Sequence, residues 1–428
     1  MRLISRLLLP VIRQPQLGLI CAMNVFVMSG VGLVAPILSL YASTFSASVT
    51  LSGMIITLFG VGRLIVNLPA GFLFQRHGKR ILLMAGPVIL VFGAVGAALA
   101  GTLTTLILFR FIQGLGSGIY MTIAQSTIAE ISTPQNRGRT MALHQGAILV
   151  GTAIGPAVGG FIAGQLGLAA PFWAYAAVCV VATLLATQIT EPVRLSEPSE
   201  GRATAPPAAR DSGRGLFTDR VFVLICLVTF GVFFTRTAAQ WQLIPLLATM
   251  RFDMQIGSIG LLLTVQALSN FAVLPVTGML VDRFGARPVT IASAILIAVS
   301  LVVVAFCTSA IWLWAGMIAL GLGGGLNAPA VAAYAADVAP ADRYGPAMGL
   351  MRTWGDAGFV LGPILVGSLA DFASMGTTGG LVANSLLVAG AGIALLLGGG
   401  RPAARTLHPQ STPFNGRPQT VGMQQAGG

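Results

Sequence analysis

The sequence is poor in charge. Only 8% of its 428 residues are Asp, Glu, Lys or Arg, against roughly a quarter in soluble proteins, which excludes an ordinary soluble domain. With 3 histidines and 4 cysteines it is also poor in metal ligands, so it predicts neither a metal site nor a disulfide framework. Cys21, Cys179, Cys226 and Cys307 all fall inside apolar stretches, where they read as small packing residues. No Gly-x-x-x-x-Gly-Lys-Ser/Thr loop is present, which disfavours ATP-driven pumping. Nor does a nucleophile and base constellation point to an enzyme, and no cofactor is implied. The run Leu7-Leu8-Leu9 is broken by Pro10 and Arg13 with no small-residue cleavage site before the first long apolar stretch, so no removable signal peptide is predicted.

What the chain has is apolar length. Hydrophobic residues make up 55% of it, gathered into stretches of about 20 residues, enough to cross a bilayer as helices. Six lie near 17–41, 50–74, 81–100, 104–128, 141–165 and 168–189, and six more near 221–248, 257–281, 288–308, 311–335, 346–370 and 378–400. Residues 191–220, rich in Pro, Ala, Arg and Ser, read as a polar linker between an N-terminal bundle (1–190) and a C-terminal bundle (221–400); residues 401–428 read as a disordered tail.

The basic residues are sorted by side. Threading the chain with its N-terminus in the cytoplasm places 19 of the 24 in cytoplasmic loops, linker and tails, and only Arg251 in a loop opposite. Such an excess predicts both termini cytoplasmic in a bacterial inner membrane. It also accounts for the formal charge of +12 without a nucleic-acid partner.

Much of the chain is said twice, 207 residues apart. Gly53 recurs as Gly260, Gly71 as Gly278, Arg76 as Arg283, Gly78 as Gly285, Gly114, Gly116 and Gly118 as Gly321, Gly323 and Gly325, and Gly155-Pro156 as Gly362-Pro363. Two like bundles facing each other suit a transporter that exposes a site between them to each side in turn.

The motifs sharpen this. Gly71-Phe-Leu-Phe-Gln75-Arg76-His77-Gly78-Lys79-Arg80 is echoed by Gly278-Met-Leu-Val-Asp282-Arg283-Phe-Gly285-Ala-Arg287, each closing one helix and turning tightly into the next. The pattern resembles the signature of the major facilitator superfamily after helices 2 and 8. The likeness covers essentially the whole chain and implies an all-α membrane protein of 12 transmembrane helices in two six-helix pseudo-repeats. In that family the loop Asp locks the cytoplasmic face through charge contacts. Asp282 keeps that position, whereas Gln75 hydrogen-bonds without ionising, which predicts a weaker first-half lock. The alternative is that the loop's basic residues only hold topology.

Arg110-Phe-Ile-Gln113-Gly114 resembles the family's helix 4 pattern, in which the arginine is proposed to assist proton coupling; the bland reading is an arginine snorkelling to the interface. Gly151-Thr-Ala-Ile-Gly155-Pro156-Ala-Val-Gly159 is similar to the helix 5 motif of the family's antiporters and exporters, and reads equally as close helix packing.

Five charges have no loop to explain them: Arg63, Arg110, Arg236, Arg352 and Asp356. The resemblance puts all five on cavity-lining helices. Arg352 and Asp356, four residues apart, also suit a simple pair along one helix. The positive excess makes Arg63, Arg236 and Arg352 candidates for an anionic or polar substrate, and Asp356, with Arg110, the candidate for proton coupling. His77 and His144 are placed at the cytoplasmic membrane interface. The expectation is a monomeric, proton-linked exporter of a small organic compound. Alternatives are a transporter of an organic anion or iron chelate, since general appearance and length also resemble the superfamily's magnetosome-membrane branch, and a transport-inactive scaffold or sensor on the same fold.

Overall fold

In a bilayer every backbone N–H and C=O must find its partner within the chain, and helices do this segment by segment. The computed structural model describes residues 15–131, 137–189, 219–339, 344–372 and 376–398. Over these the chain forms twelve helices: α1 (Pro15–Ser43), α2 (Val49–His77), α3 (Lys79–Ala98), α4 (Leu103–Ile131), α5 (Arg137–Leu166), α6 (Ala170–Ala186), α7 (Arg220–Phe252), α8 (Ile256–Phe284), α9 (Ala286–Ala305), α10 (Ala310–Val338), α11 (Tyr344–Phe372) and α12 (Gly376–Gly398). Eleven are long and apolar enough to span a membrane; α6 is apolar but shorter, at 17 residues. Large apolar side chains such as Phe92, Phe161, Leu184, Ile311 and Leu397 stay exposed. That outward apolar belt is what a hydrocarbon surround requires.

The repeat is kept to the residue. Both bounds of α2, α3 and α4 recur 207 positions later as the bounds of α8, α9 and α10. The turns between α2 and α3 and between α8 and α9 are made by Gly78 and Gly285, at φ +80° and +87°, a region that L side chains rarely enter. The glycines of α4 and α10 are repeated because they sit under equivalent backbones. A Cβ on Gly114 would lie 2.1 Å from the Phe59 carbonyl oxygen, and one on Gly321 2.2 Å from that of Gln266, its counterpart one repeat later.

Two buried apolar cores result, one built almost wholly from α1–α6 and the other from α7–α12. The halves meet chiefly through α2 against α11 and α5 against α8. Two helices depart from regular geometry. α1 passes through a 3₁₀ turn at Ala35–Ile37, where Pro36 removes a backbone donor, and α7 widens into a π-helical stretch over Thr235–Leu243.

The boundaries expected from hydropathy differ mainly at helix ends, where α2, α4, α8 and α10 continue past the apolar core into polar turns. Cys307 consequently falls in the turn after α9 rather than in a span, while all four cysteines are free thiols.

Candidate functional site

Among the described residues the close contacts between the halves gather at one end, and the other end stands more open. The distal end, opposite the one where Pro15 enters and Gly398 leaves, carries the close contacts. Asp371 at the end of α11 accepts hydrogen bonds from the backbone N–H groups of Val49 (3.1 Å) and Thr50 (2.8 Å) and from the Thr50 hydroxyl (2.6 Å). Its negative charge thereby caps the α2 N-terminus, where free N–H groups and the helix dipole favour an anion. Gln242, on the π-helical stretch, donates to the Val49 carbonyl at 2.7 Å, and Thr57 to that of Val360 at 2.7 Å. The repeated Gly and Pro meet here across the halves: a Cβ on Gly53 would lie 2.6 Å from the Pro363 oxygen, and one on Gly260 2.3 Å from that of Pro156. Towards the other end, Gly146, Gly278 and Gly349 face open space.

Between the seal and the open end lies a cavity of about 390 Å³, lined by Leu64, Met121, Thr122, Gln125, Ser126, Arg352, Thr353 and Asp356. Arg352 Nε and Asp356 Oδ2 stand 3.8 Å apart, so the pairing along one helix face is realised, loosely, with Asp356 14% exposed and Arg352 51%. Of the sequence-predicted charges the structure brings Arg352 and Asp356 to this cavity, whereas Arg63 and Arg236 are not among the residues that line it. Arg110 stands apart. It is 1% exposed, its guanidinium lies 4.5 Å from the Phe59 ring, and its Nη1 donates to Gln113 Oε1 at 2.6 Å. The snorkelling reading therefore gives way to burial inside the N-terminal half.

Aromatic faces take the place of counter-ions. Arg63 lies over Phe359 and Arg236 over Trp241, each at 5.6 Å, and the rings of Phe59 and Trp241 flank Phe359 at 6.5 and 5.6 Å. Three arginines thus rest on three rings that span both halves, at the level where cavity gives way to seal. A ring face contributes about 0.5–2 kcal/mol to a nearby cation, less than a membrane arginine costs at mid-span, about 2.5–3.5 kcal/mol. Arg63 Nε and Arg110 Nε and Nη2 are buried without an acceptor.

The helix 5 motif has a packing role on both faces. Cβ atoms on Gly151, Gly155 and Gly159 would strike α1 at Val25, Gly32 and Leu33, and Pro156 and Gly160 abut Gly260 of α8. Among the loop residues, Asp282 and Arg283 are exposed, Asp282 without an ion-pair or hydrogen-bond partner among the described residues, and Arg283 lies against Phe284. The side chains of Gln75, Arg76 and His77, and the surroundings of Gly71, lie outside the described residues.

His144 is the clearest correction. Expected at the interface, it is 5% exposed, and Asn24 and Tyr120 join it in a buried polar chain. Asn24, Thr122, Gln125, Ser126, Gln242 and the three rings carry no formal charge, so nothing in the charge pattern of the sequence singles them out. Amides inside apolar stretches were the available signal for several of them.

Two six-helix bundles related by an internal repeat, sealed at one end around a polar cavity, define a multi-pass integral membrane transporter. The chain belongs to the Major Facilitator Superfamily, whose family model matches residues 20–257 and 229–422. It is 26% identical to multidrug resistance protein 2 of Bacillus subtilis, over 84% of this chain and 90% of that one. It is 22% identical to the quinolone resistance protein NorA of Staphylococcus aureus, over 81% and 88%. Its fold is similar to that of a D-xylose-proton symporter (TM-score 0.71, 18% identity, 89% of this chain and 96% of the other).

Proposed function

We propose that the protein exports a small organic compound by alternating access, linked to protons, from the cytoplasm across a bacterial inner membrane. In this reading the open end is cytoplasmic and the structure is the inward-facing state. The observation that carries it is the joining of a distal seal made by Asp371, Gln242 and the Gly and Pro contacts to an open cavity holding Arg352 and Asp356. The multidrug and quinolone resistance relatives support export.

Proton linkage needs a carboxyl group that water reaches from the cavity. Asp356 meets that need, and its pairing with Arg352 gives substrate and proton a shared partner: a ligand engaging Arg352 alters the charge that Asp356 faces. Asp282, exposed and without a partner among the described residues, takes the role of a released lock that re-forms when the cytoplasmic end closes.

The cargo is polar with acceptor groups, an organic anion or chelate included. The favouring observation is Arg352, half-exposed in the cavity beside polar Thr122, Gln125 and Ser126, with Arg63 Nε buried without an acceptor. Purified protein in liposomes, tested with organic anions, chelates and hydrophobic cations with and without a pH gradient, decides the matter. Gradient-driven accumulation of an anion or polar compound is expected. Flux indifferent to the gradient removes proton linkage, and no flux of any class leaves the scaffold reading.

A further inference from the structure

The cavity brings together two opposite charges that do not satisfy each other. Arg352 and Asp356 both line it, and their approach, Nε to Oδ2 at 3.8 Å, is beyond hydrogen-bond reach. The order along α11, base before acid, is the less favourable one for a pair four residues apart on a helix. Among the described residues neither side chain has a hydrogen-bond partner. Arg352 is half-exposed, and Asp356 keeps 14% of its side chain open to the cavity. Each charge is costly in a membrane span, and the structure leaves both for a ligand to pair.

The wall opposite is polar without charge. Thr122, Gln125 and Ser126 of α4 line the cavity beside Met121, and their spacing puts them on one helix face. One repeat later these four positions hold Ala328, Pro329, Ala332 and Ala333, while Arg352 and Asp356 correspond to Gln145 and Leu149 in the first half. Neither polar face is therefore a demand of the shared frame. Other charges surround α11 without lining the cavity. Arg63 on α2 and Arg236 on α7 lie over Phe359 and Trp241, Arg220 and Arg251 stand near the two ends of α7, Asp337 stands at the end of α10, and α12 carries none. The titratable Cys226 of α7 and Tyr334 of α10 are buried in the C-terminal core. The cavity thus offers one cation, one anion, neutral donors and acceptors, and an apolar patch from Leu64 and Met121, in about 390 Å³, a volume that suits a small molecule.

We propose that the cavity takes a small zwitterion of the amino-acid type, its carboxylate on Arg352 and its ammonium on Asp356. The guanidinium donates to the ligand's carboxylate and the Asp356 carboxylate accepts from its ammonium, so two charge-assisted contacts form at once. A bare anion meets Asp356 as a like charge and a bare cation meets Arg352, so either leaves one charge of the cavity unpaired. The arrangement also fixes a direction. An anion on Arg352 offsets the positive neighbour of Asp356 and favours a proton there, so anion and proton bind together. An ammonium on Asp356 excludes that proton, and the exclusion is reciprocal. Only the second suits proton-linked export, and the direction of transport rests on that reading, whereas the ligand's class is tested by binding alone.

The test is calorimetric binding to the full chain in lipid nanodiscs at neutral pH, using matched triplets. Each triplet is a common amino acid, the acid that lacks its amine and the amine that lacks its carboxylate, as in phenylalanine, phenylpropionate and phenethylamine. The amino acid of at least one triplet is expected to bind more tightly than both its partners by about tenfold, the worth of one charge-assisted hydrogen bond. In Asp356→Asn the acid should draw level with the amino acid or overtake it, and in Arg352→Gln the amine should. These shifts run in opposite directions, which a general loss of fold does not produce. An acid or amine that matches the amino acid in every triplet, or no binding by any triplet, overturns the proposal in the wild type, without needing a variant. An order left unchanged by both substitutions overturns it too. In liposomes a pH gradient should drive accumulation of the preferred amino acid. A zwitterion preference in binding beside flux indifferent to the gradient leaves the ligand assigned and removes proton-linked export instead.

Discussion

The two halves share a frame and divide the chemistry. The bounds of α2–α4 and α8–α10, the turns at Gly78 and Gly285 and the glycines beneath α4 and α10 coincide after a shift of 207 residues. The charges do not. Arg63 and Arg110 correspond to Asn270 and Met317 in the second half, while Arg236, Arg352, Asp356 and Asp371 correspond to Ser29, Gln145, Leu149 and Gly164 in the first. Close backbone approach is a geometric demand that both halves face alike, so its glycines are duplicated. A charge in the membrane is costly and stays only where it acts, which makes the unmatched residues the informative ones.

The largest expected effect breaks that asymmetry at its one cavity acid. Asp356→Asn should abolish pH-driven accumulation in liposomes while the protein still inserts and elutes as a single species. Gradient-driven uptake equal to the wild type's would transfer coupling to another group. Next comes the cavity arginine: Arg352→Gln should weaken an anionic substrate more than its neutral analogue, by about 1.5–3 kcal/mol for the charge-assisted hydrogen bond lost, as read by competition binding, whereas Arg110→Gln, buried away from the cavity, should leave that difference unchanged. If the two analogues lose affinity equally, or if the best cargo is a hydrophobic cation untouched by Arg352→Gln, the positive cavity does not select charge.

The shared frame is tested by Gly114→Ala and Gly321→Ala. Their new methyl groups meet the Phe59 and Gln266 carbonyls, and each should lower thermal stability by about 1–3 kcal/mol, the usual cost of overpacking. Gly278→Ala, with open space around it, should change stability little. Unequal losses at Gly114 and Gly321 would show that the halves do not share their packing. A smaller effect is expected at the distal seal, where Asp371→Asn weakens a cap that the first half does not duplicate. The population open at that end should rise severalfold, measured by thiol labelling of a cysteine placed at Leu51. The smallest concerns the loops: Asp282→Asn should slow turnover, whereas Gln75→Asp should be tolerated or activating, and equal indifference at both would leave these loops a topological role only.

Much of this was legible in the chain. The spans, the two halves and the tight turns follow from apolar length and the repeat, and Arg352 and Asp356, which line the cavity, stand out by the cost of membrane charge, all properties of residues taken along the chain. The neutral partners were not. Asn24, Tyr120 and His144 lie up to 120 positions apart, Asp371 reaches back 322 to Val49, and Phe59, Phe359 and Trp241 look like ordinary apolar residues until helices from both halves bring their rings together.

Hydrophobic periodicity and length act locally, so the sequence by itself determined that helices form, where they turn and that they span a membrane. Which polar atoms find partners, and which end of the bundle is sealed, depends on how α2 meets α11 and α5 meets α8. Those contacts join residues distant in the chain, and only the tertiary structure decided them.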